Sequence, residues 1–220
     1  MDNRKNLFFI SSLAAIASTI ILYLDFMTAG IKKALFGNCS PFYQVVLPIV
    51  FTLILWILLS TLLLRVLKNT SLSPFALSNE TGKSGNLLCV LIVLCMTVVM
   101  TVLNGGIKPL KELEWFLAFG NTLGWIGYLI QNTYYVFEMV LALMIVYFSQ
   151  TAGEWLTSLP NVPWGSISLA IMWGLPHIFT KNLLTGIFSL LFGLALGLIY
   201  LLTGRNGKLT LFYMAVAFIL

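Results

Sequence analysis

VVLPIVFTLILWILLSTLLL, residues 45–64, decides the fold class. It is twenty residues without a charge, closed by Arg65 and Lys68, and about 20 helical residues are what the hydrocarbon core of a bilayer requires. No water is available there to pair backbone N–H and C=O groups, so such a run must be a helix that satisfies its own amides. Leu7 to Leu24 forms an earlier run behind Arg4 and Lys5. It is long for the apolar part of a signal peptide and shows no small-x-small cleavage pattern, so it reads as an uncleaved first helix. Leu87 to Leu103 is the third span, closed by Asn104, Gly105 and Gly106. The most polar loop, Lys68 to Asn86, precedes it.

Downstream the pattern continues. Trp115 to Phe148 is too long for one span, and Gln131, Asn132 and Thr133 divide it into two short helices. Gly120, Gly124 and Gly127 in the first of these allow close backbone approach and suit an interior helix. Trp155, Pro160, Pro163 and Trp164 form an interfacial loop with aromatics at headgroup level. A sixth helix is expected from Trp164 to His177, and a seventh from Leu183 to Leu202 with Gly193 and Gly197 spaced as a close-packing GxxxG face. Leu209 to Leu220 makes a short or partial eighth. The expected fold is therefore an all-α polytopic membrane bundle of about eight transmembrane helices, one membrane-embedded domain over residues 1–220.

Composition agrees with the span reading and removes other classes. Of the 220 residues 60% are apolar or aromatic and 9% are charged, whereas a soluble domain carries about a quarter charged residues. Disorder, coiled coil, collagen and a disulfide scaffold each need charge, glycine or cysteine that this chain lacks. The net charge of +5 is spread over loops and forms no basic stripe, so no nucleic-acid partner is expected and membrane lipid is. Six Lys or Arg residues fall on each side of the predicted spans, so the positive-inside rule leaves orientation open. Cys89 and Cys95 lie about 120° apart on a helix and cannot bridge each other, so they read as small core hydrophobes. Cys39 stands alone in a loop, and with one histidine in the chain neither a metal nor another cofactor is expected.

Ionisable groups at membrane depth cost a few kcal/mol on insertion scales and are functional candidates. Two stand out. Glu138 lies about 7 Å beyond Thr133 along its helix, in an otherwise uncharged run from Tyr134 to Phe148. His177 follows Trp173 by four residues, which puts the indole and imidazole on one helical face. A carboxylate and an imidazole in a partly dry cavity can activate water and stabilise an oxyanion, which is hydrolase chemistry. The plainer alternatives are a glutamate paired with a cation or hydroxyl, and a histidine that caps a helix end. Lys181 and Asn182 follow closely and either join the site or are solvated turn residues. Asp25 and Glu154 sit at span ends, where charge is cheap, and read as topological.

PWGSISLAIMWGLPHIF and SLLFGLALGLIYLLTG, within Trp164 to Gly204, resemble the C-terminal half of the CPBP family, the CAAX protease and bacteriocin-processing membrane proteins. Trp173 to His177 matches the family's aromatic-xxx-His element, and Gly193, Gly197, Tyr200, Thr203 and Gly204 match the helix that follows. The glutamate motif falls on Phe137 and Glu138, 39 residues before His177, so residues 134–204 carry the family-like motifs. The resemblance implies an eight-helix fold and a glutamate-type intramembrane endopeptidase. It makes Glu138 the base that activates water, gives His177 an oxyanion or proton role and leaves the last role unfilled; beside that pair, Trp173 and Asn182 are expected at the substrate. Three positions depart from the pattern: Phe137 replaces one glutamate, Ala142 stands at the arginine position, and Leu209 to Leu220 has no histidine or asparagine. A member that binds a membrane-presented peptide without cleaving it is thus a second expectation. A membrane scaffold, or less so a small transporter or substrate-capture subunit, is a third; no inverted repeat supports transport.

Overall fold

The computed structural model describes residues 2–76 and 82–220, and among these every regular element is a helix. The chain runs α1 (Asp2–Met27), α2 (Ala29–Phe36), α3 (Pro41–Leu67), α4 (Lys83–Leu103), α5 (Lys108–Leu117), α6 (Asn121–Thr157), α7 (Trp164–Leu169), α8 (Pro176–Thr180), α9 (Leu183–Leu202) and α10 (Gly207–Ile219). Residues 77–81, part of the polar loop read from Lys68 to Asn86, lie outside the described residues. Five segments are long and apolar enough to cross a membrane: 5–36, α3, α4, α6 and α9. The protein is an integral membrane helical bundle. Five and not eight helices have that length because the two helices expected over 115–148 are the single helix α6, the expected sixth span is broken and α10 has 13 residues.

α6 is the central helix, with α1, α3, α5, α7 and α10 packed around it. Its residues Met139 and Leu141 to Val146 are almost wholly inaccessible, although the outer faces of α3 and α4 leave large apolar side chains exposed. That inversion of a soluble surface is what lipid as solvent allows, since acyl chains offer the same contacts as a core. Cys89 is buried as expected, but Cys95 is exposed on the outer side of α4 and is not a core residue.

The division of 115–148 differs from expectation. α6 is one helix of 37 residues, about 55 Å long, through Gln131, Asn132 and Thr133. The Asn132 side chain donates to Tyr128 O at 2.8 Å and the Thr133 hydroxyl to Leu129 O at 2.8 Å. Side chains that bond the preceding turn in this way leave the helix intact. The chain reverses earlier, at Gly120, whose φ of 100° is open to glycine. Gly124 and Gly127 are buried against Phe116 and Leu117, so they dock α5 onto α6. Trp155, expected in a loop, is helical, and Trp164 packs its ring on Gly153.

Gly193 and Gly197 do form a close-packing face. A Cβ at Gly193 would sit 3.0 Å from Ala170 Cα, and one at Gly197 would sit 2.7 Å from Ser166 N. This packs α9 against α7 and the turn after it, the segment that carries Trp173 and His177.

Candidate functional site

Pro176 shapes the site. A proline within a helix has no N–H to give and its ring clashes with the carbonyl four residues earlier. Here the helix widens instead of continuing: residues Ala170–Gly174 form a π turn, and Leu175 N donates to Ala170 O at 2.8 Å. The carbonyl that Pro176 cannot use, Met172 O, accepts the Tyr23 hydroxyl of α1. Trp173 O is taken by His177 Nδ1 at 2.7 Å. A carbonyl can only accept, so Nδ1 carries the proton and Nε2 of the neutral ring is a bare acceptor. Tyr23→Phe leaves Met172 O unpaired and should cost about 1–3 kcal/mol of stability, read as a lower thermal midpoint. An unchanged midpoint would mean that the π turn does not depend on α1.

From the widened turn the Trp173 indole reaches α6, where its Nε1 donates to Glu138 Oε1 at 2.9 Å. Its ring lies 4.9 Å from the His177 ring, centroid to centroid. Glu138 and His177 are thus brought to one aromatic side chain, and it is Trp173 that links them. Both line a cavity of about 330 Å³ together with Asp25, Trp56, Tyr134 and Lys181. A second cavity of about 390 Å³ shares the wall formed by Tyr135, Trp173, His177 and Phe218 and extends to Lys108 and Asn182. Asn182 also accepts from Thr185 N at 2.9 Å, so its carboxamide oxygen caps α9 while the residue borders this second cavity.

Asp25, read from the sequence as topological, lies at the first cavity. Its Oδ1 is 2.6 Å from Lys32 Nζ and accepts from the Thr52 hydroxyl at 2.9 Å, which joins α1, α2 and α3. The i to i+7 spacing of Asp25 and Lys32 was the available signal. Lys108 was also missed. Its Nζ donates to Phe218 O at 2.6 Å and lies 4.1 Å from the Tyr135 ring centroid and 4.5 Å from that of Phe218. Burial lowers the Lys108 ammonium from the ordinary lysine range, against the opposing pull of Glu112 and Glu138. The Tyr135 hydroxyl donates to Glu112 Oε1 at 2.6 Å.

The positions that depart from the family-like pattern are filled by packing. Ala142 is fully buried, Phe137 packs at the edge of the core, and α10 presents Phe218 to Trp173 at 5.9 Å between centroids. No protein-family model, curated protein or solved structure matches this chain. Chemically the cavity offers the Glu138 carboxylate as a proton acceptor, a second carboxylate, Asp25, held by Lys32 and Thr52, one imidazole acceptor, and an aromatic wall.

Proposed function

We propose that this chain is a CPBP-like intramembrane glutamate-type peptidase homologue in the plasma membrane of a prokaryote, and that its Glu138 cavity receives a membrane-presented peptide. The observation that supports this most is the meeting of Glu138 with Trp173 and His177 at one cavity inside the bundle. In hydrolysis, Glu138 Oε2 takes a proton from water as the water oxygen attacks the peptide carbonyl carbon. The same proton then passes to the leaving amine as the C–N bond breaks. His177 holds the developing oxyanion when its Nε2 is protonated, since the neutral ring donates through Nδ1 to Trp173 O alone.

A second reading, peptide binding without cleavage, is favoured by a specific observation. The sites of the second glutamate, the arginine and the terminal-helix donor hold Phe137, the fully buried Ala142 and the apolar end of α10. One assay separates the two. Purified protein is incubated with a panel of labelled transmembrane peptides, and both product formation and peptide retention are followed. As a peptidase, the wild type turns peptide over and Glu138→Gln loses about 10²–10⁴-fold in rate. As a binder, both proteins retain peptide and neither forms product. Cleavage that survives Glu138→Gln would refute the glutamate-base mechanism, and a wild type that neither cleaves nor retains any peptide would refute the function.

A further inference from the structure

The Glu138 cavity holds a donor that the hydrolytic scheme does not use. Trp56 of α3 lines it and is 1% exposed, and its Nε1–H has no hydrogen-bond partner among the described residues. An indole nitrogen donates and does not accept, so only an acceptor can satisfy it. Two neighbours set its place. Thr52, one helical turn earlier on α3, donates to Asp25 Oδ1 at 2.9 Å. The Trp56 ring stacks on Tyr134, one turn before Glu138 on α6, at 4.7 Å between centroids. The indole therefore stands beside the wall that carries both carboxylates, yet it pairs with neither. Asp25 Oδ1 is held by Lys32 and Thr52, and Glu138 Oε1 takes the N–H of Trp173.

A buried donor without an acceptor is costly, and stacking on Tyr134 needs only a ring, which phenylalanine would supply without that cost. The cavity limits what the acceptor is. An anion would meet the carboxylates of Asp25 and Glu138 across it, whereas an amide oxygen brings no charge. A peptide presented for attack is locally unwound, and at membrane depth each carbonyl freed from its helix needs a donor. We propose that Trp56 is a substrate-binding residue, whose Nε1–H donates to a backbone carbonyl oxygen of the membrane-presented peptide. The assignment rests on the peptide reading, in either its cleaving or its binding form, and names a group that holds the peptide backbone.

Trp56→Phe keeps a ring on Tyr134 and removes the donor. In the peptide-retention assay it should hold peptide about tenfold more weakly than the wild type, the upper weight of one neutral hydrogen bond. For a peptide that is cleaved, the loss should fall on KM and not on kcat. Trp125→Phe, at a half-exposed ring that lines neither cavity, should be neutral. Weaker retention would also follow from a disturbed cavity wall, so the indole itself is read by ¹⁵N–¹H correlation spectra of the tryptophan-labelled protein in detergent. The Trp56 Nε1 proton should move downfield when peptide saturates the site. Its signal is assigned by its loss in Trp56→Phe or, should that variant not fold, by elimination among phenylalanine replacements of the other tryptophans. Unchanged retention by Trp56→Phe would overturn the proposal, as would a loss confined to kcat or a Trp56 proton that stays in place while the wild type holds peptide. Any of these results beside a wild type that binds peptide counts against Trp56 alone. A wild type that neither cleaves nor retains peptide removes the peptide reading and this assignment together.

Discussion

Trp173→Ala should destabilise the protein by about 3–5 kcal/mol, the usual cost of deleting a buried aromatic side chain. Trp173 is 7% exposed and touches His177, Phe192 and Phe218 as well as Glu138. Trp173→Phe is the more informative change, because it keeps a ring and removes the donor that Glu138 Oε1 uses. Leaving that carboxylate without its partner should cost about 1–3 kcal/mol. Replacing Glu138 by Leu in the Trp173→Phe background should recover part of the loss. Thermal unfolding of the four proteins in one detergent closes a double-mutant cycle. A coupling energy near zero would mean that the indole and the carboxylate do not interact.

Gly197→Leu should have an effect at least as large. An added Cβ would meet Ser166 through backbone atoms, including N at 2.7 Å, so no side-chain rotation relieves it. α9 must move away from α7, which should cost about 3 kcal/mol or more, at the upper end of overpacking. The expected result is a protein that unfolds at markedly lower temperature or elutes as aggregate. Ile187→Leu, on an exposed part of the same helix, serves as the neutral control. A Gly197→Leu protein with wild-type stability would mean that α9 and α7 are not in backbone contact.

Much of this was legible in the sequence because lipid and backbone impose simple requirements. Uninterrupted apolar runs located the long helices, and the GxxxG spacing of Gly193 and Gly197 located the α9 contact face. The polar run Gln131–Asn132–Thr133 misled for a physical reason. Polar side chains interrupt a hydropathy pattern, yet Asn132 and Thr133 satisfy themselves on carbonyls of their own helix. The true break at Gly120 depends on a positive φ, for which a glycine is permissive but not diagnostic. Pro176 was visible, but not its consequence, a π turn whose spare carbonyl is taken by a tyrosine about 150 residues away.

For the candidate site, the sequence found the two groups that stand out by rarity, Glu138 and His177, and the aromatic residue between them. Asp25 and Lys108 were passed over because charges near span ends are common. What distinguishes them is tertiary: Asp25 is tied to Lys32 and Thr52 beside the Glu138 cavity, and Lys108 is folded under the aromatic rings of α6 and α10. Phe218 was unremarkable in a run of apolar residues, yet it lines both cavities.

The central claim is that Glu138 and His177 meet at Trp173 inside the membrane-embedded bundle. Cysteine pairing in native membranes tests it most directly, after Cys39, Cys89 and Cys95 have been replaced by serine or alanine. A protein carrying Glu138→Cys and His177→Cys should be bridged efficiently by a short bis-alkylating thiol reagent. Glu138→Cys with Phe179→Cys, the latter replacing a side chain 82% exposed, should not be. Bridging of the control pair in preference to the 138–177 pair would contradict the account.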